Sequence, residues 1–489
     1  MSEPQQEFRR SLTLLDGTML VSGSMIGSGI FIVSADMARS VGSTGWLLFL
    51  WLLTGVMTIF GALSYGELAG MMPKAGGQFV YIKRAWGDLT AFLYGWSLAA
   101  VIQTGTIAAV GMAFAKYTSY FIPFLSSNNV LLDLGFLQIN AAQLFAMSSI
   151  VLLTFLNSQG INYGKIMQLV FTSTKLIALF ALIVLGLIVG SKMDFWGQNF
   201  TNIWASTQTV KTDTGAWVVQ NLSGMSLVLA LGTAIIGSLF SSDSWNNVTF
   251  IAGEMKNPRR DIPLSLFLGT IIVTTLYILA NLAYLALMPI KGDPNGLDVV
   301  AKGIMFADND RVGTAAASQI FGNTSATLMS LLIIISTFGC NSGLILSGAR
   351  VYYAMSKEGL FFKKAGVLNE NGVPGYALWV QCIWASLLCL SGTYSDLLDY
   401  AIFVALIFYC VTIAGIFVLR KTDPDAERPY KVPGYPITPI IYILLALSIC
   451  VILLYTKTGN AGRGLLIIAV GLPFYYLQKR GNKNEESPT

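Results

Sequence analysis

Long apolar stretches recur along the whole chain and alternate with short polar connections. Each is close to the length of about 20 apolar residues that a helix needs to cross a ~30 Å hydrocarbon core. Helical periodicity adds little, because most faces of these stretches are apolar. The pattern predicts twelve membrane-spanning helices, over residues 12–38, 44–71, 86–118, 139–158, 164–189, 225–253, 262–287, 322–354, 375–393, 396–419, 436–456 and 461–478.

The connections leave no room for a soluble domain. The longest lie over 190–224 and 288–321, and both are polar and contain turn residues. The second is predicted to hold a short helix over Leu297–Phe306. An even number of spans puts both chain ends on the same side of the membrane.

Composition narrows the class of protein. Of the 489 residues, 54% are hydrophobic and only 11% are charged, whereas a soluble globular chain carries about 25% charged residues. This difference excludes an ordinary soluble enzyme, a disordered protein and a nucleic-acid-binding protein. It favours an all-α membrane protein.

The basic residues predict the orientation of the chain. With the N-terminus inside, 20 of the 30 Lys and Arg residues fall on inner segments and 8 on outer segments. Cytoplasmic loops carry such an excess of positive charge. We therefore expect a multi-pass protein of the cell membrane, with residues 1–11 and 479–489 in the cytoplasm.

The chain contains no histidine, and all five cysteines lie inside apolar stretches. Histidine metal sites and Ser-His triads are therefore excluded, and no disulfide framework is indicated. We expect no metal, no cofactor and no enzymatic activity.

Two of the predicted spans are interrupted near their middle. The first contains the run GSMIGSGIF over residues 23–31, and the sixth contains FSSDSWNN over residues 240–247. Such residues propagate helices poorly, and a broken helix in lipid is tolerated only where it faces protein or a water-filled cavity. Breaks at matching positions predict a transporter built from two inverted halves, over 12–189 and 225–419.

The chemistry of the breaks suggests a ligand. Amide groups released around Gly27, Ser28 and Gly29 suit a carboxylate, and carbonyl groups released near Met25 and Phe240 suit an ammonium group. Together these groups match the main chain of an α-amino acid. The alternative is that the glycines only allow close helix packing.

Lys175 lies about ten residues into the fifth span, which is roughly 15 Å deep at 1.5 Å per residue. A charge at that depth costs at least ~2.5–3.5 kcal/mol unless it finds partners. The lysine could stand in for a bound sodium ion, or lose its proton when desolvated and couple transport to protons. Snorkelling to the surface is the alternative.

At these residues the sequence resembles the amino acid–polyamine–organocation (APC) superfamily, and within it the L-type amino-acid transporter (LAT) family. The similar segments are GSMIGSGIF in span one, YGELAGMMPKAGGQFVYIKRAWG after span two, FTSTKL in span five, EMKNPRRDIP after span six and SGARVYYAMSKEGLF leaving span eight. The resemblance implies a five-plus-five inverted-repeat core with two peripheral helices over 436–478. It also implies sodium-independent amino-acid transport, often by exchange.

The resemblance also implies roles for individual residues. Ser28 and Gly29 match the carboxylate-binding turn, which includes Ile26 and Gly27, and Met25 supplies the carbonyl for the amine. Phe240 matches an aromatic gate, followed by Ser241. Lys175 matches the lysine that replaces sodium by bonding to Gly23 and to span eight.

Three features depart from the family pattern. Asp243 replaces a small or neutral residue, and it could contact the substrate amine, favour a cationic side chain, bind a proton or cap a half-helix. Cys340 stands where a serine is expected near the lysine, so Ser336 one turn earlier becomes a candidate partner. The segment 119–138 has no cysteine, so we expect no disulfide-linked heavy subunit.

Other polar residues are weaker candidates. Gln103, Asn341 and Ser342 could line the substrate pocket or simply join helices. The charged residues at the inner mouth could form ion pairs that close it, or remain solvated; these are Glu67, Glu254, Arg259 and Arg260.

The sequence thus favours a sodium-independent exchanger of neutral amino acids that works by alternating access. A proton-coupled amino-acid or polyamine symporter is the alternative. A membrane sensor that binds an amino acid without moving it is a more remote one.

Overall fold

The computed structural model describes residues 8–134, 138–212, 214–390 and 394–486, with the backbone alone over 394–400 and 480–486. The predicted terminal segments 1–11 and 479–489 therefore lie partly outside the described residues. Helices make up most of this part of the chain, and a helix occupies each of the twelve predicted apolar stretches.

The helices of the first half, through residue 190, are α1 Leu14–Met25, α2 Val33–Val41, α3 Thr44–Met71, α4 Gln78–Trp86, α5 Asp88–Ser97, α6 Gln103–Thr118, α7 Ala141–Ser158 and α8 Ile161–Gly190. A π-helical turn, Leu98–Ile102, joins α5 to α6.

The helices that follow are α9 Phe195–Asn199, α10 Met225–Ser241, α11 Asn247–Phe250, α12 Pro258–Leu287, α13 Val299–Lys302, α14 Val312–Phe321, α15 Ser325–Lys357, α16 Gly375–Leu388, α17 Tyr394–Thr422, α18 Ile437–Thr456 and α19 Thr458–Glu486. Short 3-10 turns connect helices in both parts of the chain, over Gly29–Phe31, Pro123–Leu125, Ala252–Glu254, Asp308–Asp310, Gly322–Thr324 and Lys363–Gly366.

Eight helical segments of the described chain are long and apolar enough to cross a membrane. Two shorter apolar helices, α10 and α16, add to them. By length and composition, these helices indicate a multi-pass membrane protein.

The all-α prediction is wrong in one detail, because the described chain contains two small antiparallel hairpins. Strands β1 Val130–Asp133 and β2 Gln138–Asn140 pair in the connection between α6 and α7. Strands β3 Thr207–Lys211 and β4 Trp217–Asn221 pair in the connection before α10. Both connections contain β-branched residues, which favour strands, but neither is apolar over a length that a search for spans would detect.

A short helix lies within the predicted range Leu297–Phe306, but it is shorter than predicted. It spans only Val299–Lys302, and the Asp298 side chain accepts a hydrogen bond from the amide of Ala301 at its start. The helix ends because Gly303 has φ +60°, a left-handed conformation that glycine adopts without strain.

The helical bundle has two faces, at opposite ends of its long helices. The N-terminal face is where α1 begins and α3 ends, and the far face is where α2 ends and α3 begins. Helix α12 packs against α1, α3 and α8, and α15 packs against α1, α6 and α8, so these two helices form the centre of the bundle. Helix α18 packs against α17, α10 and α3, and α19 packs against α17 and α5.

Small residues allow the central helices to approach closely. A Cβ atom at Gly190 of α8 would lie 2.5 Å from the Cβ of Ala286 on α12 and 2.8 Å from its carbonyl carbon. Because backbone cannot move aside as a flexible side chain can, any larger residue would push α8 away from α12.

Two buried glutamates fix the N-terminal face. Glu254 pairs with Arg350 of α15 at 2.9 Å, and both side chains are almost fully buried. Glu67 at the end of α3 accepts two hydrogen bonds from Arg420, at 2.9 and 2.6 Å, and a third from the amide of Val432 at 2.8 Å. The predicted ion pairs therefore involve Glu67 and Glu254, whereas Arg259 pairs with the exposed Glu427.

We expect Glu67→Gln to lower the free energy of unfolding by about 2–3 kcal/mol, because a buried acceptor of charged hydrogen bonds loses its charge. Thermal unfolding of the purified protein in detergent measures the change. Glu427→Gln is the matched control, since its exposed pair with Arg259 contributes about 0–1 kcal/mol. Equal melting temperatures for the two variants would contradict the role given to Glu67.

Candidate functional site

The first helix breaks after Met25. Ile26 is extended, with φ −78° and ψ 94°, and its amide donates the last α-helical bond to the carbonyl of Ser22 at 3.0 Å. Hydrogen bonding along the chain resumes where the amide of Phe31 donates to the carbonyl of Ser28 at 3.1 Å. Gly23 remains helical, so the interruption is shorter than the glycine-rich run suggests.

The sixth predicted span breaks after Ser241. Ser244 has φ +67°, a left-handed conformation that is strained for any residue but glycine. The chain re-enters a helix at Asn247. The amide of Asp243 donates to the carbonyl of Phe240 at 3.1 Å. That carbonyl therefore has a partner, contrary to the expectation that the break releases it.

The two breaks touch each other. A Cβ atom at Gly29 would lie 2.1 Å from the Oγ atom of Ser241 and 2.8 Å from its Cβ. Gly23 is equally crowded, since its Cβ would lie 1.9 Å from Nε2 of Gln168 on α8. Close packing therefore requires a glycine at both positions, whatever else these residues do.

Lys175 of α8 joins the first break to α15. Its ammonium group is 1% exposed and donates to the carbonyl oxygens of Gly23 at 2.5 Å, Ile26 at 2.8 Å and Ser336 at 3.5 Å. An ammonium group has three protons, and these three carbonyls can take all of them. The side chain points into the bundle rather than toward either membrane surface.

Ser336 and Cys340 both contact the first break from α15. The Ser336 hydroxyl lies 3.1 Å from the carbonyl oxygens of both Ile26 and Gly27. The Cys340 thiol donates to the carbonyl of Ser24 at 3.0 Å. Ser336 thus shares the carbonyl of Ile26 with Lys175, while Cys340 bonds to Ser24 in the last turn of α1.

Tyr277 of α12 connects the two breaks, and the sequence analysis missed it. Its hydroxyl lies 2.9 Å from the carbonyl oxygen of Ser241 and 3.2 Å from that of Met25. These are the last helical residues before the two breaks. The carbonyl of Met25 is therefore not free, because a buried carbonyl requires a partner. One turn further, Asn281 accepts a hydrogen bond from Ser34 at 2.6 Å.

A sequence signal for this contact exists. Polar side chains at positions 277, 281 and 284 recur at i, i+4 and i+7 within an apolar span. This spacing places them on one helix face. Tyr284 also reaches the first break, at 3.4 Å from the carbonyl of Ile30.

Asp243 belongs to a second polar cluster in the sixth span. Its carboxylate accepts a hydrogen bond of 2.7 Å from the hydroxyl of Tyr409 on α17. Asn246 donates to Gln78 of α4 at 2.9 Å, and Gln78 donates to Thr412 at 3.0 Å. No Lys or Arg forms an ion pair with Asp243 within the residues that the structure describes.

A small cavity with both polar and apolar lining residues adjoins this cluster. Asp243, Gln78 and Tyr409 line it, and so does Gln103, which donates to the carbonyl of Leu344 at 2.8 Å. No lysine or arginine is among its lining residues. Asp243 also lines a neighbouring cavity beside α3 and α18.

The other predicted site residues lie elsewhere. Residues 25–29 of the first break do not line this cavity, and Ser28 is buried. Phe240 is partly buried and packs on the apolar core. Ser342 lies 3.4 Å from Nδ2 of Asn157, and Asn341 is buried with its side-chain oxygen unpartnered. The structure thus places Asp243 and Gln103 in the lining of one cavity, to which residues 25–29 do not contribute.

The described residues contain no group of three or more His, Cys, Asp or Glu side chains that could hold a metal ion. All five cysteines are free thiols and buried. The polar groups described near the breaks are carbonyls, hydroxyls, side-chain amides, one thiol, one ammonium and one carboxylate. Such groups bind and orient a polar ligand, and they include no activated nucleophile.

Comparison with known proteins gives a consistent picture. A family model described as amino acid permease matches residues 12–475. The serine/threonine exchanger SteT of Bacillus subtilis is 29% identical over 96% of this chain and 97% of its own length. The large neutral amino acids transporter small subunit 2 of mouse is 28% identical over 96% of this chain and 81% of its own length. The mouse b(0,+)-type amino acid transporter 1 is 28% identical over 96% and 88%.

We expect Tyr277→Phe to raise the amino-acid concentration that half-saturates uptake by about fivefold, since one hydrogen bond of about 1 kcal/mol to the breaks is lost. Uptake into proteoliposomes as a function of substrate concentration measures this. Tyr284→Phe is the matched control, and its longer hydrogen bond predicts a smaller change. If both variants behave like the parent protein, Tyr277 does not position the breaks.

Proposed function

The chain belongs to the amino acid permease family and is an amino-acid transporter, and from this premise we propose that it is a sodium-independent exchanger of neutral amino acids. The proposal includes twelve membrane spans. It also includes two inverted halves, over 12–189 and 225–419, with peripheral helices over 436–478. Both chain ends, 1–11 and 479–489, would lie in the cytoplasm.

The observation that carries the proposal is the position of Lys175. Its ammonium group contacts three carbonyl oxygens from the first break and from α15. Carbonyl groups of unwound helix segments are what coordinate a sodium ion in transporters of this general design. A protein-bound cation at that place removes the need for sodium.

The first break would hold the main chain of the substrate. Gly27, Ser28 and Gly29 lie at the start of a short 3-10 turn, Gly29–Phe31, and the N-terminal end of a helical turn favours a negatively charged group. We assign them the substrate carboxylate, and we assign the ammonium to the second lone pair of the Met25 carbonyl, which also accepts from Tyr277. Ile26 would form part of the substrate site at the first break, and Ser241 at the second. Phe240 would close over the substrate.

The charge of the cavity argues against an acidic side chain on the substrate. Asp243 contributes a carboxylate, and the lining residues include no basic group. An acidic side chain would therefore meet repulsion without a compensating cation, which disfavours glutamate and aspartate as substrates. Gln103, Asn341 and Ser342 would contribute hydrogen bonds to the pocket or its walls.

Alternating access would arise from tilting of the broken helices about the centre of the bundle. The N-terminal face would be the cytoplasmic mouth, because most Lys and Arg residues lie there. No cysteine is available in 119–138 for a disulfide to a heavy subunit, so we propose that transport does not depend on such a partner.

The decisive experiment uses the purified protein in proteoliposomes. Radiolabelled neutral amino acid should enter several-fold faster when unlabelled amino acid is inside, and sodium should make no difference. A panel of unlabelled amino acids then defines the accepted side chains. If uptake does not depend on internal amino acid but increases with an inward proton gradient, the protein is a symporter and not an exchanger.

One observation favours proton-coupled symport as the second candidate. Asp243 is a buried carboxylate between two cavities, and its described contacts are hydrogen bonds rather than an ion pair. A carboxylate in such surroundings can take up a proton during transport. Under this alternative Asp243→Asn abolishes stimulation by a proton gradient, whereas an exchanger shows no such stimulation to lose.

We expect Lys175→Ala to reduce exchange by about tenfold or more, because the carbonyls at the first break lose a buried charged partner. Initial rates of exchange in proteoliposomes, corrected for reconstituted protein, measure the loss. Lys116→Ala is the control, since Lys116 is an exposed lysine of α6. Undiminished exchange in Lys175→Ala would remove the basis for assigning it the place of sodium.

A further inference from the structure

The connection between α6 and α7 is exposed and yet strongly apolar. Phe121, Ile122, Phe124, Leu131, Leu132 and Leu134 are between 44% and 62% exposed. Isolated exposed apolar residues are ordinary, but a cluster of this size outside a helix marks a contact surface. Nothing in the described part of this chain covers the cluster.

Charge distinguishes this connection from the other two long ones. Residues 119–140 contain one charged residue, Asp133, whereas 190–224 contain four and 288–321 contain seven. The side chain of Asp133 also accepts a hydrogen bond of 2.9 Å from Gln138. The segment is therefore nearly uncharged.

The backbone of the segment is largely satisfied internally. The amides of Phe121 and Ile122 donate to the carbonyl of Thr118, at 3.0 and 3.1 Å, and the amide of Leu125 donates to Ile122 at 2.9 Å. Beyond them β1 pairs with β2, and the amide of Ala141 donates to Asn129 at 2.9 Å. A segment can enter a low-dielectric environment only when its polar backbone groups are paired in this way.

The cluster continues the apolar outer surface of neighbouring helices. Helix α7 follows directly and exposes Leu144, Leu152 and Phe155 on its outer side. On the other side, the hydroxyl of Tyr120 lies 3.3 Å from that of Thr327, which precedes the exposed Leu328 of α15. In a multi-pass membrane protein, such outer faces of spans contact lipid.

The hairpin formed by β3 and β4 provides a comparison, because it packs against its own chain. Strand β3 lies against the end of α2, where a Cβ atom on Gly42 would come within 2.0 Å of Thr207, and Thr209 is buried. All four residues of β1, by contrast, are exposed. The α6–α7 connection therefore meets something other than its own chain.

We propose that residues 120–134 lie in the interfacial layer of the bilayer at the far face, with their apolar side chains among lipid headgroups and upper acyl chains. Aromatic and apolar residues with paired backbone suit this layer. The occupant of the surface is thus lipid, and the connection anchors the ends of α6 and α7 at a fixed depth. This inference does not depend on the substrate or on the mode of transport.

The test places an environment-sensitive fluorophore, NBD, on a cysteine introduced by Leu132→Cys in the full-length protein in lipid nanodiscs that hold one copy. We expect emission shifted to shorter wavelength, and quenching about twofold stronger by lipids with a doxyl group near the headgroup than by lipids with it near the chain end. Leu297→Cys is the matched control, because Leu297 is fully exposed in a charged connection. Its label should report water and resist quenching.

Two results would overturn the proposal. Emission from Leu132→Cys that matches Leu297→Cys would place the connection in water. Shifted emission without doxyl quenching would mean that protein, not lipid, covers the cluster. If Leu132→Cys does not fold, Phe124→Cys in the neighbouring 3-10 turn serves as the second label and must show the same lipid quenching.

Discussion

The structure depends on the contact between a buried ammonium group and the carbonyl oxygens of an interrupted helix. A broken helix in the membrane leaves backbone groups unpaired, and a lysine at mid-depth leaves a charge unpaired; each alone is costly. Lys175 and the carbonyls of Gly23 and Ile26 satisfy one another. Gly23 contributes to this contact because it has no side chain. Helix α8 can therefore approach closely enough for the Lys175 ammonium group to reach the carbonyl oxygens.

The first break is connected to the second in a similar way, by a polar side chain that contacts backbone carbonyls of both. Tyr277 lies beside the last helical carbonyl of α1 and that of α10, and Gly29 packs directly on Ser241. A hydroxyl has one proton and cannot donate fully to both carbonyls at once. A change at one break therefore alters the hydrogen bonding available at the other, which gives α12 a direct part in coupling the two breaks.

The sequence predicts the long helices, both breaks and the burial of Lys175 because each signal is local: a run of apolar residues, a run of glycine and serine, or one charge in an apolar span. It could not predict which group satisfies each break. Tyr409 and Asp243 are 166 residues apart, and the partners of Met25 and Phe240 were missed because the carbonyls were treated as free. The hairpins escaped notice since short strands in a connection do not change the apolar pattern.

The N-terminal face shows what alternating access would have to break. The amides of Ser11 and Leu12 donate to the carbonyl of Glu254, at 2.9 and 3.0 Å, while the side chain of Glu254 pairs with Arg350 of α15. If α1 moves away from α15 at this face, one of two sets of contacts must break. These are the backbone bonds to the carbonyl of Glu254 and the ion pair between its side chain and Arg350. The backbone bonds can be replaced by water at small cost, whereas separating the buried ion pair leaves two charges to be solvated. A movement of α1 away from α15 would therefore break the backbone bonds at the start of α1 and leave the pair of Glu254 and Arg350 intact.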